Sequence, residues 1–120
     1  MTKESHEAFD RLFRTIASRR DCPRDDSYTT SLFVGGIDVI GGKVLEEAAE
    51  LVEAARTGEP KEVIHEAADL IYHVWVLLAE AGVAPEDVRE ELERREGVSG
   101  LKEKQSRPGS KIQNPKSKTE

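Results

Sequence analysis

Residues 43–82, KVLEEAAELVEAARTGEPKEVIHEAADLIYHVWVLLAEAG, hold two long stretches of helical spacing around a single break. The break is Gly58-Glu59-Pro60. Glycine suits the left-handed position just past a helix, and proline suits the first turn of the next. The spacing therefore predicts one helix from about Ile37 to Arg56 and another from Pro60 to about Ala81, before Gly82. So short a connection makes the pair an antiparallel αα-hairpin. Upstream, Ala8, Phe9, Leu12, Phe13, Ile16 and Ala17 recur at helical spacing, which predicts a helix over Ser5 to Arg20. Asp21-Cys22-Pro23 stops it, the polar stretch from Asp21 to Thr30 reads as a loop, and Gly35-Gly36 punctuates the chain before the hairpin. Downstream, Pro85 opens a further helix to about Arg95. No internal repeat and no alternating strand pattern is present. The fold class is all-α, a four-to-five-helix domain built on the hairpin and spanning 1–106. Residues 107–120 are mostly Lys, Ser, Pro, Gln and Asn with one isoleucine, a basic tail expected to be disordered.

Leu70 to Leu78, LIYHVWVLL, is apolar most of the way round a helix. Ile71, Trp75 and Leu78 share one face, while Leu70, Val74 and Leu77 point elsewhere. Such a helix is buried on more than one side. Either the first and fourth helices cover it, or a second copy of the chain does. The expectation is a homodimer or a higher homo-oligomer.

Composition narrows the function classes. The chain has 120 residues, of which 35% are charged, against about 25% in an average soluble protein. Its 18 basic and 24 acidic residues leave a net charge of −6, which argues against general binding to nucleic acid. The single cysteine, Cys22, excludes an intrachain disulfide and a multi-cysteine zinc site. No apolar run approaches a membrane span and the N-terminus is no signal peptide, so no membrane association and a cytoplasmic location are expected.

The carboxylates of the hairpin carry the chemistry. On the first hairpin helix Glu46, Glu47 and Glu50 fall within about 100° of one another, and Val44, Ala48, Leu51, Val52 and Ala55 cluster on the opposite side. On the second helix Glu66 and Asp69 are spaced i, i+3. Glu50 and Glu66 each lie eight residues from Gly58, and Glu47 and Asp69 each lie eleven. In an antiparallel pair the four therefore sit at matching heights, about 12 to 17 Å from the turn. Height alone leaves open two solvated acidic faces. A structural surface, however, interleaves Lys or Arg at i, i+4. Neither helix does so: there is no basic residue between Lys43 and Arg56, and none from Glu62 to Ala81. Divalent cations would relieve the crowding, and all-carboxylate oxygen donors suit Mg²⁺ or Mn²⁺ rather than zinc. Positions left open on Mg²⁺ are commonly filled by phosphate oxygens.

Glu46-Glu47-Ala48-Ala49-Glu50 followed by Glu66-Ala67-Ala68-Asp69 resembles the MazG-like all-α nucleotide pyrophosphohydrolases. The flanks narrow the resemblance. Ser27-Tyr28-Thr29, Leu32-Phe33, Gly36-Ile37, EAADLIYH at 66–73 and VSGLKEKQSR at 98–107 together resemble the phosphoribosyl-ATP pyrophosphatase family. Leu45 departs from that pattern, which usually has Gly before the two glutamates. The resemblance implies Mg²⁺-dependent hydrolysis of phosphoribosyl-ATP between its α and β phosphates, giving phosphoribosyl-AMP and pyrophosphate, the second step of histidine biosynthesis. It implies Glu47, Glu50, Glu66 and Asp69 as metal ligands, with Glu46 as a further ligand or as general base. In many organisms this domain is fused to a zinc cyclohydrolase; one Cys and three His leave no cluster for that zinc here.

Other residues have two readings each. Lys43 could reach a phosphate or pair with Glu46 or Glu47. Ser27, Tyr28 and Thr29 could hold substrate through their hydroxyls near a helix start, or Ser27 and Thr29 could simply cap it. Arg24, with Arg19 and Arg20, is a phosphoribosyl contact or a surface arginine. Lys102, Lys104 and Arg107 could close over phosphates from a neighbouring subunit. His73 could orient a carboxylate but is read first as a satisfied histidine, and Tyr72 and Trp75 are read first as core. Cys22 is read as an incidental thiol. Three rivals remain: a MazG-like house-cleaning enzyme acting on nucleoside triphosphates, a non-catalytic acidic helical binding module, and a purely structural dimerisation domain.

Overall fold

A computed structural model of the chain describes residues 3–96, with side chains from Glu7 onward. Four helices follow in order: α1 (Lys3–Asp21), α2 (Tyr28–Thr57), α3 (Pro60–Ala81) and α4 (Pro85–Arg95). No strand occurs among the described residues, so the all-α expectation holds. No single described helix is long and apolar enough to cross a membrane.

The hairpin forms where its punctuation stands. Gly58 takes φ 77°, ψ 12°, and its N–H donates to the Ala54 carbonyl, closing α2 in the left-handed conformation that favours glycine. Pro60 opens α3. At the far end Gly82 N–H donates to Ala79 O (3.1 Å) and Val83 N–H to Leu78 O (2.9 Å), the paired bonds of a Schellman ending. Arg20 of α1 adds a side-chain bond to the Ala79 carbonyl, so that carbonyl accepts two hydrogen bonds at the helix end.

One expectation needs correction. The segment read as loop to Thr30, with a helix only from Ile37, is helical from Tyr28. Ser27 caps it, accepting from Thr30 N–H at 3.0 Å, and Thr30 Oγ1 in turn accepts from Arg24 N–H at 3.0 Å. Gly35-Gly36 is an internal break rather than the approach to a helix: Gly36 has φ 80°, ψ −170°. Counting α2 as two pieces gives five helical segments, and counting it whole gives four.

Residues up to Pro85 form one compact unit, and α4 lies in a second that begins at Glu86. In the first unit, Ile16 of α1, Leu32 and Ile40 of α2, and Val76 and Ala79 of α3 make the core, with Phe13, Phe33, Tyr72, Trp75 and Leu77 packed around it. Phe9 and Trp75 pack edge to face, their ring centroids 5.5 Å apart. This cluster sets the rotation of α2. With Ile40 in the core, residues seven and fourteen further along share its face, and these are Glu47 and Ala54, both buried. The side expected to be apolar is thereby turned only partly inward: Val44, Ala48 and Leu51 are half-buried and Val52 and Ala55 are exposed, while Leu45, outside that set, is 73% exposed. Within the second unit α4 is stabilised along its own axis, with Glu86 and Asp87 in its first turn and Arg94 and Arg95 in its last. Glu91 lies 2.7 Å from Arg94 and 3.0 Å from Arg95, and their hydrogen bonds lower its pKa to about 2. The expected tail, 107–120, lies outside the described residues.

Candidate functional site

Glu47 enters the seam between α2 and α3 because it is on the row that holds Ile40 and Ala54. It is 6% exposed. Its Oε2 lies 3.7 Å from Lys43 Nζ, while its Oε1 is buried with no hydrogen-bond partner. Glu46 and Glu50 flank it on the exposed side, and one ligand atom from each of the three lies within 4.8 Å of the others. On α3, His65, Glu66 and Asp69 form a second such triad within the same limit. Glu66 Oε1 is also buried and unpartnered.

The two helices meet through Glu50 and Glu66. Burial raises the pKa of Glu66 above its ordinary 4.5; the charge of Glu50 and a carboxyl–carboxyl hydrogen bond to it raise it further, with His65 opposing and Glu47 adding to the rise. Equal distance from Gly58 thus does bring this pair into contact. Lys43 is the ammonium beside the acids, 3.1 Å from Glu46 Oε1, and that hydrogen bond raises its pKa. A shallow pocket of about 220 Å3 adjoins Glu50 and Glu66 and extends toward the turn, where Glu53, Thr57 and Glu62 line it.

These residues fit a hard divalent cation. Buried carboxylate oxygens without donors are costly in a folded chain. Here two of them, one on each helix, stand beside further carboxylates, and desolvation, reinforced by those neighbours, has raised the pKa of Glu66. Oxygen donors dominate, as Mg²⁺ or Mn²⁺ prefers. His65 was missed by the sequence reading. Its Nε2 lies 3.3 Å from Asp69 Oδ2, and the i, i+4 spacing between them was the available signal.

The remaining residues are distributed unevenly. Tyr28 is half exposed, its hydroxyl 2.9 Å from His73 Nε2 and its ring stacked on Tyr72 with centroids 6.4 Å apart. Burial raises its pKa first; Lys43 lowers it, and Tyr72, Glu47 and Glu46 raise it, so the phenol stands in the field of the acids. Thr29 is buried, and its hydroxyl bonds that of Tyr72. Arg24 pairs with Asp26 at 3.1 Å on the surface, and Arg19 bonds Ser18. His73 is satisfied at both nitrogens, Trp75 packs on the core, and Cys22 is an exposed free thiol. Lys102, Lys104 and Arg107 lie outside the described residues.

Residues 9–96 match the family model described as phosphoribosyl-ATP pyrophosphohydrolase. The chain is 48% identical over 103 residues to a phosphoribosyl-ATP pyrophosphatase of Dechloromonas aromatica, covering 86% of this chain and 95% of that protein. It is 52% identical over 99 residues to a phosphoribosyl-ATP pyrophosphatase of Rhizorhabdus wittichii, covering 82% and 93%. It is also 46% identical over 101 residues to a histidine biosynthesis bifunctional protein of Wolinella succinogenes, covering 84% of this chain and 44% of that one.

Proposed function

This chain belongs to the phosphoribosyl-ATP pyrophosphohydrolase family, and we propose that it hydrolyses phosphoribosyl-ATP to phosphoribosyl-AMP and pyrophosphate, the second step of histidine biosynthesis. The observation that carries the reading is the pair of buried, unpartnered oxygens, Glu47 Oε1 and Glu66 Oε1, on the two helices of the hairpin. Glu47, Glu50, Glu66 and Asp69 would hold Mg²⁺, with Mn²⁺ as a substitute. When bound, the cation supplies positive charge to phosphate oxygens as negative charge builds on the departing group.

The chain's own residues do the rest. Glu46 is exposed at the rim and takes the proton of the attacking water. The water oxygen bonds to one of the two bridged phosphorus atoms, and the bridging P–O bond breaks. Its electron pair leaves with the other phosphoryl group. Lys43 sits at the same rim, where its ammonium can turn from Glu46 to a substrate phosphate. Tyr28 and Arg24 extend the contact surface toward the phosphoribosyl group, and Lys102, Lys104 and Arg107, basic residues that follow the fourth helix in sequence, would add phosphate contacts from a neighbouring subunit. The hydroxyl of Thr29 already serves Tyr72, so its part is to hold the Tyr28 segment.

A second copy of the chain completes the unit in this reading. Val34 is 81% exposed, and Ile37, Leu45, Val52 and Ile64 are exposed as well, apolar side chains that a homodimer would bury. Leu45→Asp should then give a monomer by sedimentation where the wild type gives a dimer.

The deciding experiment measures pyrophosphate release from phosphoribosyl-ATP, with and without Mg²⁺, beside ATP, dUTP and dCTP. Mg²⁺-dependent release from phosphoribosyl-ATP in preference to the others is expected. Preference for the simple triphosphates would move the chain to nucleotide house-cleaning. No release from any of them would leave an acidic binding module.

A further inference from the structure

His73 is 5% exposed and takes no part in the hydrolysis described above, yet both of its ring nitrogens are engaged. Nδ1 lies 2.8 Å from the carbonyl oxygen of Asp69, one helical turn back. Nε2 lies 2.9 Å from the Tyr28 hydroxyl. A carbonyl oxygen only accepts, so Nδ1 carries the proton; in the neutral ring Nε2 is then an acceptor, and Tyr28 donates to it. One carbonyl thus sets the direction of the whole chain of bonds. The phenol oxygen, its O–H committed to His73 Nε2, keeps only acceptor capacity for any other group that approaches it.

Register gives this chain its purpose. Tyr28 lies before the break at Gly36, whereas Glu46, Glu47 and Glu50 lie after it. The α-helical bonds of α2 therefore do not by themselves fix Tyr28 relative to the acids. Contacts with α3 do so: the Thr29–Tyr72 hydroxyl pair, the Tyr28–Tyr72 stack, and the edge-on packing of Tyr28 on His73 at 5.8 Å and 80°. His73 is the member of this group that also binds the backbone of Asp69.

We propose that His73 is a positioning residue: protonated at Nδ1, it holds the α3 turn that bears Asp69 and presents the Tyr28 oxygen as an acceptor to substrate. The proposal rests on Asp69 being a cation ligand. Three variants separate its parts. His73→Phe removes both nitrogens. His73→Asn keeps a donor near the Nδ1 position and loses the reach to Tyr28. Tyr28→Phe removes one hydroxyl.

The first readout is 15N NMR of the substrate-free protein in mildly alkaline buffer, which should show His73 protonated at Nδ1. The second is Mn²⁺ affinity of the same substrate-free protein by electron paramagnetic resonance. Loss of one buried hydrogen bond should weaken it by about 3- to 10-fold in His73→Phe, with recovery toward wild type in His73→Asn. The third is kinetic: Tyr28→Phe should raise KM for phosphoribosyl-ATP by more than it lowers kcat. A ring protonated at Nε2 overturns the proposal, as does folded His73→Phe that binds Mn²⁺ like wild type. Should His73→Phe fail to fold, an unchanged KM in Tyr28→Phe overturns it instead. Wild-type protein that binds no Mn²⁺ overturns the cation reading of the acids and this proposal with it; unaltered binding in His73→Phe overturns the proposal alone.

Discussion

The α2–α3 seam is one row of side chains with two different ends. Toward Gly82 it holds Ile40, Val76 and Ala79, buried and dry. Toward Gly58 the row continues on α2 as buried Glu47, with exposed Glu50 beside it, and α3 carries Glu66 and Asp69. Helix geometry is the same at both ends; the side chains are not. The apolar end gains from burial, and the acidic end loses from it, because carboxylates are desolvated beside one another. The first anchors the helices tightly enough that the second can stay crowded, and the crowding is what prepares it for a cation. Local consistency is broken in the one place where chemistry is assigned.

The comparison is broken most sharply at the acidic end. Asp69→Asn should cut Mg²⁺-dependent turnover by on the order of 100-fold or more, since even partners outside a metal's ligand set are worth 10- to 100-fold. The same variant should unfold, without metal, at a urea concentration no lower than wild type. Wild-type turnover would remove Asp69 from the site. The dry end responds in the opposite sense: Ile40→Ala deletes a fully buried side chain and should cost about 2–5 kcal/mol in urea denaturation. A loss well below that would mean the seam is not anchored there.

Gly36→Ala is a smaller test, of what separates the Tyr28 segment from the acids. Nothing crowds an added Cβ at that position, so the cost is backbone strain at φ 80°, about 1–3 kcal/mol. Thermal unfolding should report it; no loss would mean that the break is not held in solution. The smallest effect is electrostatic. In the metal-free fold the Glu66 pKa is raised above 4.5, so its protonated form is favoured. Its contribution to stability is full below that ordinary value and is lost as pH rises through the raised one. Glu66→Gln should therefore gain stability over wild type as pH rises to neutrality and lose that advantage in acid. A constant difference across that range would contradict the crowding.

Much of this was legible in the chain itself. Gly58, Pro60 and Gly82 are local signals, because a left-handed residue or a missing N–H acts within its own turn, and the helix ends fall where they stand. The matching heights of Glu50 and Glu66 needed only a constant rise per residue. The start of α2 was less legible: Ser27 and Thr30 are polar and precede a Gly-Gly pair, a pattern shared by loops and capped helices. His65 was passed over because a lone exposed histidine carries little signal before its neighbour Asp69 is seen at 3.3 Å.

What the sequence determined by itself is the set of helices, their turn and the excess of carboxylate at one height, since each depends on residues near one another in the chain. Only the tertiary structure decided which way α2 is rolled, and so that Glu47 is buried while Leu45 is not. Only it brought Tyr28 to His73, 45 positions apart. Both outcomes follow from the core around Ile16, Leu32, Ile40 and Val76. Packing of segments distant in sequence chooses among faces that local spacing leaves equivalent.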